Sequence, residues 1–196
     1  MSIACASSVT TGGRWKRDEG WISIVSDAVW IAVVVSLGVT QALQIALLAA
    51  MNRARGPAEA AYISILGTLA GLTLALTIRS LMGSRPALPA PFDHPALTGA
   101  VAVASGTLLA LSLRGLPLGY AVTGLTAVPY LLAASYLAPK IGVGLFLAAL
   151  IAGQLGGGVV LDHFGVLGTA TRAIDPIRVL GVAALLTGVV LVRGFH

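Results

Sequence analysis

The sequence predicts an all-α protein, a polytopic transmembrane helix bundle of six spans, with five as the alternative. Three observations carry this. Only 10% of the 196 residues are charged and 57% are hydrophobic, giving a mean hydropathy of +0.95. A soluble domain carries about a quarter charged residues, because charge covers its surface. The apolar residues fall in uncharged runs, and about 20 helical residues cross the ~30 Å of hydrocarbon in a bilayer. The charges lie between those runs rather than inside them. Disorder, nucleic-acid binding and an ordinary soluble enzyme are excluded, and the lipid bilayer is the first partner.

Residues 1–26 read as a polar N-terminal tail and 27–196 as the bundle. Arg14, Lys16 and Arg17 form the densest basic cluster, partly neutralised by Asp18 and Glu19. It sits just before the first apolar run, where anionic headgroups and the positive-inside bias favour it. The net charge of +5 therefore needs no nucleic acid. Trp15, Trp21 and Trp30 gather at the first crossing, as interfacial rings do. The first span covers about 28–51 and ends before Asn52 and Arg53. The second, 60–78, is closed by Arg79, whose stem can snorkel to the interface.

Residues 84–95 hold four prolines with Asp93 and His94 and read as an exposed loop. The run 95–113, rich in Ala, Gly, Ser and Thr, is the weakest, and omitting it gives the five-span alternative. Spans 117–137 and 142–161 are joined by Ala138-Pro139-Lys140-Ile141, a link short enough to make an antiparallel hairpin. Pro129 predicts a kink in the fourth span. The last span, 177–192, is bounded by Arg178 and Arg193.

Charge arbitrates weakly between the counts. With six spans and a cytoplasmic N-terminus, seven Lys and Arg fall inside and five outside; with five spans the split is eight to four. Charge prefers five, while the length and neutrality of 95–113 prefer six. Six is adopted, with the N-terminus in the cytoplasm.

No Asp, Glu, Lys or Arg lies near the middle of a run. A buried carboxylate is the usual proton-coupling group of a pump, so a mid-membrane carboxylate antiporter is disfavoured. The polar candidates are Gln41, Gln44, Gln154 and Tyr130, together with other tyrosines and hydroxyls. Gln41 and Gln44 are three apart and share a helix face. A glutamine facing hydrocarbon leaves donors and acceptors unpaired, so these side chains face other helices or a wet cavity. Interhelical hydrogen bonding and cavity lining remain the two alternatives.

Gly67 and Gly71, and Gly153 and Gly157, are small residues four apart, the spacing that lets helices approach closely. Gly156-Gly157-Gly158 costs a helix roughly 1 kcal/mol per glycine against alanine, which suits a segment that bends. Asp162 and His163 end the fifth span; they anchor it at the interface, with proton handling at a membrane mouth as the alternative. Cys5 is the single cysteine and can form no internal disulfide. No phosphate-binding loop, zinc-protease motif or cysteine cluster is present, so no cofactor or metal is expected.

Leu137-Ala138-Pro139-Lys140-Ile141-Gly142, then Ala152-Gly153-Gln154, then Leu161-Asp162-His163-Phe164-Gly165 resemble the YdcZ family of the drug/metabolite transporter superfamily. Ile177 to Leu191 is similar to that family's final helix, and Asn52 to Gly56 with Ser64 to Gly71 to its first turn and second helix. The family often has glutamine where Leu48 stands here, with Gln44 one turn earlier. Asn52, Pro139, Gly142, Gly153, Gln154, Asp162, His163, Phe164 and Gly165 are the positions matching its motifs.

The resemblance implies a bacterial inner-membrane exporter of an unknown small-molecule solute. It implies a half-sized transporter that dimerises, in parallel or inverted, or pairs with a homologous subunit, so that two halves complete one pathway at the midplane. The family is typically five-spanning, and 95–113 is additional. The expected function is alternating-access export. A non-transporting scaffold or accessory subunit is the alternative.

Overall fold

The structure, a computed structural model, describes residues 16–84 and 86–194, with side chains described from residue 28 onward except at Arg193. Cys5, Arg14, Trp15 and Arg85, and the side chains of Lys16, Arg17, Asp18, Glu19 and Trp21, lie outside the described residues. The elements are α1 (Lys16–Arg55), α2 (Pro57–Leu81), α3 (Pro95–Ser112), α4 (Val122–Leu125), α5 (Ala127–Ile141), α6 (Val143–Phe164) and α7 (Pro176–Arg193). No strand occurs among the described residues.

Five segments are long and apolar enough to cross a membrane: Ala28–Arg55, Pro57–Leu81, Pro95–Ser112, Leu118–Ile141 and Val143–Phe164. A shorter apolar helix, Pro176–Val192, brings the apolar helices that could span to six. The chain is thus the expected all-helical, polytopic bundle.

Helix ends depart from the apolar windows for local reasons. α1 begins at Lys16, so part of the stretch read as a polar tail is helical. Hydropathy marks what enters lipid, whereas charged residues extend a helix readily. Pro57, Pro95 and Pro176 open α2, α3 and α7, where the missing N–H is no loss and φ is already helical. The link between the fourth and fifth spans is Gly142 alone, because α5 continues through Pro139 to Ile141. Gly142 (φ 89°) and the α1–α2 link Gly56 (φ 96°) make one-residue turns in a region that disfavours side chains. Pro129 lies early in α5 and removes a donor while crowding the Leu125 carbonyl. The helix is interrupted just before it, at Thr126, whose backbone angles remain helical. The chain is therefore weakened there without a sharp bend.

Two close crossings organise the bundle. At the first, α1 lies on α6: a Cβ added to Gly38 would come 2.8 Å from Gly153 Cα, and one on Gly153 would collide with the Val35 carbonyl oxygen. A Cβ on Gly157 would meet Ala42 Cβ at 3.1 Å. At the second, α2 meets α4: a Cβ on Gly124 would lie 2.6 Å from Gly67 Cα, and one on Gly71 2.9 Å from side-chain atoms of Leu125 and Val128. Thr68 Oγ1 donates to the Gly124 carbonyl (3.0 Å) across this second crossing. Both use small residues four apart, because lipid tails are as apolar as leucine and only close contact favours helix over lipid.

Contacts at the two ends of the bundle set the direction of α3. Arg55 donates to the Ser112 carbonyl (2.5 Å) and to that of Arg114, joining the C-terminal ends of α1 and α3. Thr77 donates to Thr98 (3.0 Å), joining the end of α2 to the start of α3. α3 therefore traverses the bundle antiparallel to α2 instead of lying across one end. Arg53 donates to the Leu167 carbonyl, placing the α6–α7 loop beside the same end of α1. At the opposite end the Lys140 ammonium sits 3.7 Å from the Tyr136 ring centroid and 5.9 Å from that of Trp30.

Candidate functional site

Where α1 and α6 diverge from the glycine crossing they leave a cavity of about 380 Å³. Ala42, Ala46 and Ala49 of α1 occur at i, i+4 and i+7, so beside Ile45 one helix face presents mostly methyl groups and yields the space. α6 supplies Gln154, Gly158 and Asp162, again on one face, and Thr169 closes the loop end. The wall is mostly apolar, with the Gln154 amide along it and the Asp162 carboxylate at one end. Such a cavity suits a ligand with an apolar body and a few hydrogen-bonding groups.

The four polar candidates separate. Gln154 lines the cavity. Gln41 and Gln44 occupy the neighbouring face of α1, and Gln44 is 9% exposed. Gln41 Nε2 and Gln44 Oε1 are buried without a hydrogen-bond partner among the described residues. Tyr130 packs on Phe146, with ring centroids 6.5 Å apart, inside the apolar cluster of α1, α5 and α6. Tyr130 is not among the residues that line the cavity with Gln154.

The Asp162 to Gly165 stretch builds a helix stop. Gly165 adopts the left-handed conformation (φ 60°, ψ 34°) that commonly ends helices. The Asp162 carbonyl accepts from Arg172 N (2.9 Å), and His163 Nδ1 accepts from Ile174 N (3.4 Å). The Asp162 carboxylate lies 3.7 Å from the Arg178 guanidinium. The His163 ring stands edge-on to Phe164 at 5.0 Å. These contacts fold the loop back on the end of α6. Among the described residues no group of His, Cys, Asp and Glu side chains is arranged to hold a metal.

Asn52 is exposed, and its carbonyl accepts from Gly56 N (2.8 Å) at the α1–α2 turn. Asp175 caps α7 by accepting from Arg178 N (2.8 Å). Asp175→Ala is expected to destabilise the protein by about 1 kcal/mol, read as a lowered thermal midpoint in detergent. An unchanged midpoint would show that the cap contributes nothing.

Sequence reasoning missed Gly38, Gly124 and Thr169. Gly38 carried a readable signal, since Ala42 follows it at the same four-residue spacing as Gly153 and Gly157. Gly124 and Thr169 carried none, because their importance comes from which segment lies opposite.

The family model described as "Putative inner membrane exporter, YdcZ" matches residues 29–191. The chain belongs to the YdcZ family. No curated protein and no solved structure gives a significant match. The YdcZ match covers every apolar pass and both glycine crossings, including 95–113. This is a multi-pass membrane protein of an exporter family, and the family assignment is to transport rather than to enzymatic chemistry.

Proposed function

We propose that this YdcZ-family chain exports a small molecule from the cytoplasm across a bacterial inner membrane by alternating access, with its N-terminus in the cytoplasm. Its proposed working unit is a dimer, with itself in parallel or inverted orientation, or with a homologous subunit, because a half-sized chain must find a second half to enclose a pathway. The observation that carries the reading is the α1–α6 cavity, whose largely apolar wall carries Gln154, Asp162 and Thr169 beside a glycine-mediated helix crossing. Helices that meet through glycine can rock against one another without first unlocking side chains.

Gln154 is the proposed solute contact in that wall, and Asp162 with His163 the proposed anchor of its loop. In liposomes the purified protein should accelerate release of at least one solute from a metabolite panel. Gln154→Leu should slow that release about tenfold, the loss of one buried hydrogen bond to the passing solute, while leaving the folded yield intact. A variant as fast as the wild type would remove Gln154 from the pathway. A wild type no faster than empty liposomes would favour an accessory or scaffolding role.

A further inference from the structure

One face of α1 runs Trp30, Val34, Leu37, Gln41, Gln44, Leu48, Met51, alternating three and four residues apart, which is a single continuous stripe on a helix. Its two ends are apolar and packed. Trp30, Val34 and Leu37 join the cluster containing Leu137 and Tyr130. Leu48 and Met51 join a second cluster containing Tyr120 and Ala121. The fourth pass therefore runs antiparallel to α1, with Tyr136 beside Trp30 (6.3 Å between centroids) and Tyr120 at the level of Leu48.

That register brings the middle of the stripe, Gln41 and Gln44, level with the stretch from Thr123 to Thr126, where α4 gives way to α5. Thr123 is completely buried, and its hydroxyl has no hydrogen-bond partner among the described residues. The same holds for Gln41 Nε2 and Gln44 Oε1. Three unpartnered polar atoms, from two elements that touch, thus lie at one depth between two apolar clusters. An unsatisfied buried polar atom is destabilising, so a seam of three needs an explanation.

We propose that this seam, a second contact site on the face of α1 next to the α1–α6 cavity, recognises the transported solute, and that the solute is small, uncharged and rich in hydrogen-bonding groups, a polyol or a primary amide. The inference rests on the transport reading and adds the substrate class. The seam offers amide groups that donate and accept and a hydroxyl that does both. It offers no charge to balance an ion: no Asp, Glu, Lys or Arg lies near Gln41, Gln44 or Thr123 in the chain. An ion would be left uncompensated in a low-dielectric interior, whereas a neutral polyol or amide completes the seam's hydrogen bonds.

The test uses Thr123→Val and Gln44→Met, which keep volume and remove hydrogen bonding. Liposomes carrying the full chain are loaded with erythritol, xylitol or lactamide as neutral probes, and with lactate or tetraphenylphosphonium as charged ones. The wild type is expected to speed release of a neutral probe, and each variant to slow it about tenfold. Both variants are also expected to melt no lower than the wild type, since each removes a buried atom without an internal partner. Hydrogen bonds that merely hold the helices together would give the opposite sign, a lower melting point, and would overturn the proposal. Unchanged neutral release in the variants would overturn it too. A wild type that moves only the charged probes overturns the proposal and leaves the transport reading standing. One that moves none of the probes or panel metabolites overturns both.

Discussion

Gly153→Ala is expected to lower stability by about 3 kcal/mol, the scale of an overpacked core that cannot relax. In a protein of this size that corresponds to a fall of about 10 °C in thermal midpoint. The added methyl would collide with the Val35 carbonyl oxygen and come 3.0 Å from Gly38 Cα, so backbone faces backbone and no side chain can turn away. α1 and α6 would have to separate along their whole contact, which also carries the cavity wall. Gly124→Ala should behave alike, because its methyl would meet the Ser64 carbonyl, Gly67 Cα and Thr68 N. Gly158→Ala is the control from the same helix. It has nothing within 4 Å, so it should stabilise by roughly 0.5–1 kcal/mol through helix propensity alone. Thermal unfolding of the three purified variants separates these signs. A Gly153→Ala protein as stable as its Gly158→Ala sibling would mean that the helices do not meet where the glycines do.

The contrast among these glycines shows what the sequence made legible. Gly67 with Gly71, and Gly153 with Gly157, announce a close approach through their four-residue spacing, a property of one helix. Which helix approaches is decided by the other, so Gly38 could be suspected and Gly124 could not. The glutamines follow the same logic. Spacing puts Gln41 and Gln44 on one face, but only the neighbours reveal that Gln154 lines a cavity while the other two bury polar atoms on the adjoining face of α1. Tyr130, also a candidate by its place in an apolar run, packs on Phe146, and an aromatic ring in such a run looks the same whether it packs or lines a wall. Helix ends were legible where charge or a left-handed glycine marks them, as at Arg53 and Gly165. They were illegible at Lys16 and Ile141, where helix continues through polar residues that hydropathy assigns to a tail or a link.

In a Cys5→Ser background, cysteines at positions 114 and 170 should react with a membrane-impermeant maleimide from the same side, and one at 82 only after permeabilisation. Arg114, Ala170 and Met82 are all exposed, so labelling reports topology and not burial. The expectation follows from three contacts. Arg55 holds the end of α3 against the end of α1, Arg53 holds the α6–α7 loop there too, and Thr77 meets Thr98 at the far end, near Met82. If 95–113 merely lay on the membrane, positions 82 and 114 would label together, and the five-span charge split of eight to four would be the correct one. With the proposed cytoplasmic N-terminus, six passes leave Arg53, Arg55, Arg114, Arg172 and Arg178 on the outer side, against the positive-inside bias. Two of those five offset that bias through their contacts: Arg53 and Arg55 donate to backbone carbonyls at helix ends that would otherwise lack partners. An arginine engaged in this way acts as a clasp at the bundle's end, so its position reports packing before it reports orientation. Labelling of 82, 114 and 170 together from one side would break that argument and restore the five-span chain.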